Sequence, residues 1–248
     1  SFVNIVCAYF MVNMGMNVVL AVLLSLIIST FIGFLNGIII AELRMPALIV
    51  TFASQTIFAG YAYIICGGVP ISRMPESFLK LGQGYVGPIP VPVIVMVVIF
   101  AIGTFILNKT YFGRYFYALG GNEEAALLSG IKIKVVKCLV YSLSGLFAGI
   151  AGLVMLARAN TAQPNAGVGY EFDVITCVVL GGVSVNGGSG KMSNVIAGVL
   201  IIGVLSNGMV LMNISSYMQM VIKGIILLLA VGADCIQQMN LQKTKAIA

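Results

Sequence analysis

Residues 16–40 read MNVVLAVLLSLIISTFIGFLNGIII, a stretch without a charged side chain. A helix that spans a bilayer needs about 20 consecutive, mostly apolar residues. The whole chain has this character, because 60% of its 248 residues are hydrophobic and 8% are charged, against about 25% charged in an average soluble domain. The apolar runs are long and do not alternate with polar residues. The sequence therefore predicts an all-α polytopic membrane protein, a helical bundle rather than a barrel.

Eight apolar segments follow one another along the chain. The chain begins at Ser1 inside an apolar stretch, so we expect an N-terminal truncation of a single transmembrane domain that takes up all of 1–248. The first segment is short, as expected for a chain that lacks its beginning, and the sixth ends early at Gly181-Gly182. The predicted segments are 1–13, 16–40, 46–66, 91–108, 138–157, 170–185, 193–212 and 216–233.

Lysine and arginine residues indicate how the segments are oriented, because cytoplasmic connections carry an excess of them. The connection 109–137 carries five cations, whereas 67–90 and 158–169 on the opposite face carry three between them. The tail adds Lys243 and Lys245 on the side of 109–137. We therefore predict that this connection and the C-terminus are cytoplasmic. The net charge of +6 does not indicate nucleic-acid binding, because the cations lie at the ends of apolar segments.

The most polar part of that connection reads GGNEEAALLSG and ends at Gly130. Asn122 is a favourable N-cap, and the carboxylates of Glu123 and Glu124 fall in the first turn, where they oppose the helix dipole. Gly130 favours the left-handed conformation that ends helices. The sequence predicts a helix at about 122–130 that is too short to be stable alone in water. It either packs against its own bundle or docks into a groove on a cytoplasmic partner.

Polar side chains inside the apolar segments are costly in lipid, so they tend to face the bundle interior or a wet path. Such residues are candidates to hydrogen-bond a neutral solute in transit, and interhelical hydrogen bonding is the alternative for each. The candidate pathway residues are Asn36, Gln55, Asn207 and Gln219.

Two glycine pairs have the four-residue spacing that lets helices approach closely, Gly33 with Gly37 and Gly145 with Gly149. In lipid, this kind of close packing holds helices together. The pairs predict tight helix contacts in a bundle.

The glycine-rich stretch GGSGKM (187–192) invites comparison with a phosphate-binding loop. The pattern G-x-x-x-x-G-K-[ST] fails, because Val185 stands where the first glycine is needed and Met192 replaces the hydroxyl residue that would hold magnesium. We predict a tight turn between the sixth and seventh segments. The chain also has no histidine, which excludes histidine metal sites and histidine general bases.

The polar segment resembles the coupling loop of ABC importer permeases. Glu124-Ala125-Ala126, followed after three residues by Gly130, matches the E-A-A-x-x-x-G core of that loop. Other stretches look like the ribose-type monosaccharide permeases of the branched-chain amino acid and sugar permease superfamily, in order along nearly the whole chain. They are GRY (113–115) with ALGGN (118–122), AQP (162–164) with GVGYEFD (167–173), VLGGVS (179–184) with GGSGK (187–191), and SSYMQ (215–219).

The resemblance implies a function and a set of partners. Permeases of this family usually have ten spanning segments with the coupling loop between the sixth and seventh, whereas here the loop follows the fourth of eight. We expect a multi-pass permease subunit of an ATP-driven monosaccharide importer in the bacterial cytoplasmic (inner) membrane. The chain itself would bind no cofactor and catalyse no reaction, since ATP and Mg belong to the partner. The implied partners are a cytoplasmic ABC ATPase subunit, a second permease copy or related permease, and an extracytoplasmic sugar-binding protein.

The resemblance also implies roles for individual residues. The outer mouth, where the binding protein would dock, includes two acids whose alternative role is to stabilise a helix N-terminus. The expected ATPase-coupling residues are Arg114, Asn122, Glu123, Glu124, Ala125, Ala126 and Gly130. The expected outer-mouth residues are Arg158, Gln163, Glu171 and Asp173.

The alternative function is a secondary transporter or channel for a small polar solute that works without an ATPase. Such a protein would need coupling charges near the bilayer midplane. Lys223 is the one clear charge within an apolar segment. It either pairs with an acid such as Asp173 or extends toward the membrane interface.

Overall fold

The computed structural model describes residues 1–185 and 187–247, with the backbone alone over 237–247. The side chains of Lys243 and Lys245, used above to orient the tail, therefore lie outside the described part. The described chain forms eleven α-helices, and a π-helical turn, Tyr9–Asn13, continues the first of them. The helices are α1 Phe2–Ala8, α2 Val18–Leu43, α3 Ala47–Cys66, α4 Glu76–Gln83, α5 Val91–Lys109, α6 Tyr111–Gly121, α7 Glu123–Leu128, α8 Ile133–Ala159, α9 Tyr170–Leu180, α10 Met192–Leu211 and α11 Ser216–Ile247.

Six helices of the described chain are long and apolar enough to cross a membrane, which confirms the predicted class. They are α2, α3, α5, α8, α10 and the part of α11 over Ser216–Ile236. The first and sixth predicted segments form shorter helices, Phe2–Asn13 and α9. At 1.5 Å per residue, α9 is about 16 Å long, roughly half of a bilayer core.

Three helix ends differ from the predicted ones by five residues or more, and one of them is the end of α9, which lies at Leu180 rather than residue 185. α8 begins at Ile133 rather than residue 138, and α11 continues to Ile247 rather than stopping at 233. Hydropathy marks where an apolar run stops, but a helix continues through charged residues with good helix propensity, such as Lys134 and Lys137.

Four two-residue strands lie in the connections. β1 (Ile71–Ser72) pairs antiparallel with β4 (Thr161–Ala162), with Ile71 opposite Ala162. β2 (Tyr85–Val86) and β3 (Ile89–Pro90) form a small hairpin. These strands tie loops together and leave the all-α class unchanged.

The contacts divide the chain into two compact units, which are described separately. Unit 1 consists of residues 1–112 and 127–167, and unit 2 of residues 113–126 and 168–248. The coupling-loop residues from Gly113 to Ala126 thus group with the C-terminal helices. The sequence predicted one domain over 1–248, and that remains a prediction.

Unit 1 is organised around the contact between α2 and α8, in which the two predicted glycine pairs face each other. A Cβ atom built on Gly33 would lie 2.2 Å from the Tyr141 carbonyl oxygen, and one on Gly145 would lie 2.4 Å from the Ser29 carbonyl oxygen. The Ser29 hydroxyl donates a hydrogen bond of 2.6 Å to the Gly145 carbonyl oxygen. Small residues here let the backbones touch, as the sequence predicted.

A second cluster of unit 1 joins α1, α4 and α8. Phe78 of α4 and Leu156 near the end of α8 are both buried in this cluster. A Cβ atom on Gly82 would lie 2.2 Å from the Arg158 backbone nitrogen, so α4 also contacts the α8 backbone directly. This cluster anchors the 67–90 connection to the end of α8.

Unit 2 is built on the pair α9 and α10. A Cβ atom on Gly198 of α10 would lie 2.0 Å from the Cys177 carbonyl oxygen of α9. α11 joins this pair through an ion pair, in which Lys223 Nζ lies 2.6 Å from Asp173 Oδ2. The two side chains are 25% and 30% exposed. In the structure Lys223 pairs with Asp173 and does not extend toward the membrane interface, which decides between the two alternatives that the sequence left open.

We predict that Gly33→Ala destabilises the protein by about 1–3 kcal/mol, because the added methyl group forces α2 away from α8. Gly60→Ala in α3 is the matched control, since a Cβ atom there has no neighbouring atom within 4 Å. Reversible unfolding in detergent–SDS mixtures, followed by circular dichroism, measures both variants. Equal stability of the two variants would contradict the packing described here.

We predict that Lys223→Met destabilises the protein by about 1–3 kcal/mol, because it leaves the Asp173 carboxylate without its partner in a poorly solvated setting. Adding Asp173→Asn to Lys223→Met should recover part of that loss, because the unpaired charge is then gone. The same unfolding experiment gives the coupling free energy from the double-mutant cycle. Strict additivity of the two substitutions would show that the ion pair contributes nothing.

Candidate functional site

A cavity of about 350 Å³ lies within unit 1, among α1, α2, α3 and α8. Its apolar walls include Ile32 and Phe58, which face a set of uncharged polar side chains. Among the residues that the structure describes, no Asp, Glu, Lys or Arg side chain lines it. The polar lining residues are Ser1, Asn4, Ser29, Asn36, Thr51, Ser54, Gln55, Tyr141 and Ser144.

Two of the predicted pathway residues meet in this cavity. Asn36 of α2 and Gln55 of α3 both line it, and the Ser54 hydroxyl donates a hydrogen bond to Asn36 Oδ1. The bond joins two helices, which is the structural role that the sequence left open for Asn36. The arrangement places amides and hydroxyls of α2 and α3 around one space midway along both helices.

Asn4 is a cavity residue that the sequence analysis missed. It is 2% exposed, and its Oδ1 atom has no hydrogen-bond partner among the described residues. A Cβ atom on Gly152 would lie 2.7 Å from this oxygen, so α8 has a glycine where the Asn4 side chain needs room. The available signal was the polar residue in the first apolar segment, since such residues are costly in lipid.

The other two predicted pathway residues belong to unit 2. Asn207 is exposed on α10. Gln219 Nε2 donates a hydrogen bond of 2.8 Å to the Ile214 carbonyl oxygen, next to the start of α11. Gln219 therefore has a local structural partner, whereas no role follows from the position of Asn207.

The predicted outer-mouth residues are divided between the units. In unit 1, Arg158 lies in the last turn of α8, its carbonyl oxygen accepts a hydrogen bond from Gln83 Nε2, and Gln163 is exposed. In unit 2, Glu171 Oε2 accepts the Gly169 backbone N–H at 3.1 Å, and Asp173 pairs with Lys223. Both acids thus have structural partners at the N-terminus of α9.

The predicted coupling segment contains a short helix, α7. Asn122 Oδ1 accepts the Ala125 backbone N–H at 3.0 Å, which is N-cap geometry, and Gly130 has a φ of +81° after the helix ends. Glu123 and Glu124 are exposed in the first turn. The sequence thus anticipated this local structure.

The surface of this segment is partly apolar. Ala126 is buried, whereas Leu127 is 61% and Leu128 89% exposed. Arg114 is exposed on α6, the helix that precedes α7. Exposed leucines beside exposed carboxylates form the kind of surface that a groove on another protein can cover. ATPase coupling by these residues remains a prediction.

The described residues contain no group of three or more His, Cys, Asp or Glu side chains that could hold a metal ion.

Comparison with known proteins gives consistent matches. Residues 3–231 match the family described as branched-chain amino acid transport system / permease component. The ribose import permease protein RbsC of Bacillus subtilis (strain 168) is 46% identical over 90% of this chain and 70% of its own length. RbsC of Escherichia coli (strain K12) is 40% identical over 90% of this chain and 71% of its own.

The L-arabinose transport system permease protein AraH of Escherichia coli (strain K12) is 45% identical over 82% of this chain and 62% of its own. No solved structure matches the chain significantly. A family match over most of the chain, together with relatives of this identity and coverage, establishes the family. The chain therefore belongs to the branched-chain amino acid transport system permease family of membrane proteins.

Proposed function

We propose that this protein is the membrane-spanning permease subunit of an ATP-driven importer for a monosaccharide. The observation that carries the proposal is the capped helix α7, whose sequence and exposed carboxylates resemble the coupling helix of ABC importer permeases. A cytoplasmic ABC ATPase binds ATP and Mg and hydrolyses the ATP, and α7 passes the resulting movement to the bundle.

The cavity of unit 1 supports a neutral cargo. A neutral sugar offers hydroxyl groups that amide and hydroxyl side chains such as Asn36, Ser54 and Gln55 can hydrogen-bond. A zwitterionic amino acid would instead need charged partners once it leaves water. No charged side chain lines the cavity among the described residues, so its chemistry favours a sugar over an amino acid.

The names of the relatives support the same class of cargo. The similar proteins include ribose import permeases and L-arabinose permeases. Both sugars are neutral pentoses with similar sets of hydroxyl groups, so we propose a pentose or a closely related monosaccharide as the cargo.

The proposed setting follows from the charge distribution and the family. The subunit lies in the bacterial inner membrane with the coupling segment and the C-terminus in the cytoplasm, because the 109–137 connection is rich in cations. It pairs with a second permease copy or a related permease. An extracytoplasmic binding protein delivers the sugar on the opposite face.

We predict that Glu124→Lys in the full-length permease lowers both sugar-stimulated ATP hydrolysis and sugar uptake about tenfold, within the usual range of coupling free energies. The measurement uses proteoliposomes that contain the partner ATPase and the binding protein. Glu76→Lys is the matched control, because Glu76 is also an exposed first-turn acid on a short helix. Uptake that continues without ATP would instead favour a secondary transporter or channel.

We predict that Asn36→Leu raises the KM for sugar uptake about tenfold, because a buried polar group of the sugar loses its partner. Asn108→Leu is the control, since Asn108 is an exposed asparagine in the apolar helix α5. Initial rates of radiolabelled ribose and arabinose uptake give the KM values. Unchanged KM values for both sugars in Asn36→Leu would remove this cavity from the pathway.

A further inference from the structure

Within unit 2, the backbone of the coupling segment (residues 113–126) touches the glycine-rich loop between α9 and α10 (residues 187–190, the glycine loop). A Cβ atom on Gly120 would lie 2.4 Å from the Gly188 backbone nitrogen and 3.0 Å from its Cα. In return, a Cβ atom on Gly188 would lie 2.5 Å from Gly121 Cα. Any side chain at Gly120 or Gly188 would force the two backbones apart.

Tyr117 adds a directional contact at the same place. It precedes Gly120 by three residues on α6, so both lie on one face of that helix. Its hydroxyl donates a hydrogen bond of 3.0 Å to the Gly190 carbonyl oxygen. The coupling segment is therefore joined to the glycine loop both by backbone packing and by a hydrogen bond.

Two backbone hydrogen bonds join the glycine loop to Ser184. The Ser184 N–H donates to the Ser189 carbonyl oxygen at 3.2 Å, and the Gly187 N–H donates to the Ser184 carbonyl oxygen at 3.0 Å. Gly187 and Gly188 have φ values of +85° and +73°, which glycine adopts without steric cost. Ser184 lies on the α9 side of the connection, so these hydrogen bonds join the glycine loop to that side.

Those helices are in backbone contact with each other. A Cβ atom on Gly181, at the end of α9, would lie 2.7 Å from the Asn194 carbonyl oxygen in α10. The Val185 N–H also donates to Asp234 Oδ2 of α11 at 3.3 Å. Contacts among the described residues therefore join the coupling segment, through the glycine loop, to α9, α10 and α11.

We propose that Tyr117, Gly120 and Gly188 are positioning residues that fix the coupling segment to the α9–α10 hairpin. Movement of the coupling segment then displaces α9 as a rigid body, including its opposite end with Glu171 and Asp173. This inference rests on the proposed function, because only a partner that moves the coupling segment gives the connection something to transmit. It also gives the glycine-rich stretch a role beyond that of a turn.

Two substitutions test the connection, each with a matched control. Gly120→Ala introduces the clash with Gly188, whereas Gly121→Ala adds the same methyl group where no atom lies within 4 Å. Tyr117→Phe removes the hydroxyl bonded to Gly190, whereas Tyr115→Phe removes a hydroxyl from a more exposed tyrosine of the same helix.

The readout is the number of ribose or arabinose molecules taken up per ATP hydrolysed. It is measured in proteoliposomes that contain the full-length permease, its ATPase and its binding protein. We expect Gly120→Ala to lower this ratio about tenfold, and Tyr117→Phe less, as is typical of allosteric coupling. ATPase binding and basal ATP hydrolysis should stay unchanged, which a general loss of folding would not allow. Both controls should behave as wild type.

Hydrogen exchange provides a second readout that does not depend on transport. Peptides that cover residues 183–190 should change their exchange when the ATPase binds a non-hydrolysable ATP analogue, in wild type and in Gly121→Ala but not in Gly120→Ala. If the Gly120→Ala variant fails to assemble, the Tyr117→Phe variant alone tests the inference. An unchanged number of sugar molecules taken up per ATP hydrolysed in Tyr117→Phe would then overturn it.

Different results would reject the proposed function and the connection between the coupling segment and the glycine loop. Wild-type vesicles that take up sugar without ATP, or not at all, would reject the proposed function and this inference with it. Wild-type vesicles with normal ATP-driven uptake, together with a Gly120→Ala ratio equal to that of Gly121→Ala, would reject the connection and leave the proposed function intact.

Discussion

Inside a bilayer, helices gain little from leaving their apolar surroundings, so close packing and a few polar contacts must hold them together. The rest of this structure depends on that constraint. In unit 1 it is met where Gly33 and Gly145 bring the α2 and α8 backbones together and Ser29 bonds across them. The same two helices also form part of the wall of the cavity in unit 1. In unit 2 it is met by Gly198 against Cys177, and by the Lys223–Asp173 pair.

The polar groups of the chain have two kinds of position. Some complete the packing, as Asp173 does with Lys223, and these have a partner at hydrogen-bonding distance. Others face the cavity of unit 1, where Asn4 Oδ1 is buried without a partner among the described residues. A buried polar atom without a partner is destabilising, so Asn4 is a polar residue that does not contribute to the packing in this way.

The fold class and the local structure of α7 could be predicted from sequence because each depends on neighbouring residues. Long apolar runs predict spanning helices, and Asn122 followed by two acids predicts a capped helix start. The two glycine pairs were recognised by spacing alone, and they face each other across α2 and α8.

The contacts between residues that are far apart in the sequence could not be predicted in this way. The convergence of Asn4, Asn36 and Gln55 depends on how three helices are rotated about their axes, which hydropathy does not specify. The contact of Gly120 with Gly188 joins positions that are far apart in the chain, and each alone looks like an ordinary turn glycine. Observed helix boundaries also differ from the predicted ones where charged residues such as Lys134 extend a helix beyond its apolar part.

The α2–α8 contact has a consequence for how the protein is made. Ser29 and Gly145 are 116 residues apart, and α3 and α5 are synthesised between them. A ribosome adds roughly 5–20 residues per second, so α2 spends on the order of ten seconds in the membrane before α8 emerges. During that time the small-residue face of α2 has no partner helix, and other proteins in the bilayer can bind to it. The order of synthesis therefore leaves the small-residue face of α2 open to mispairing and to membrane chaperones until α8 is made.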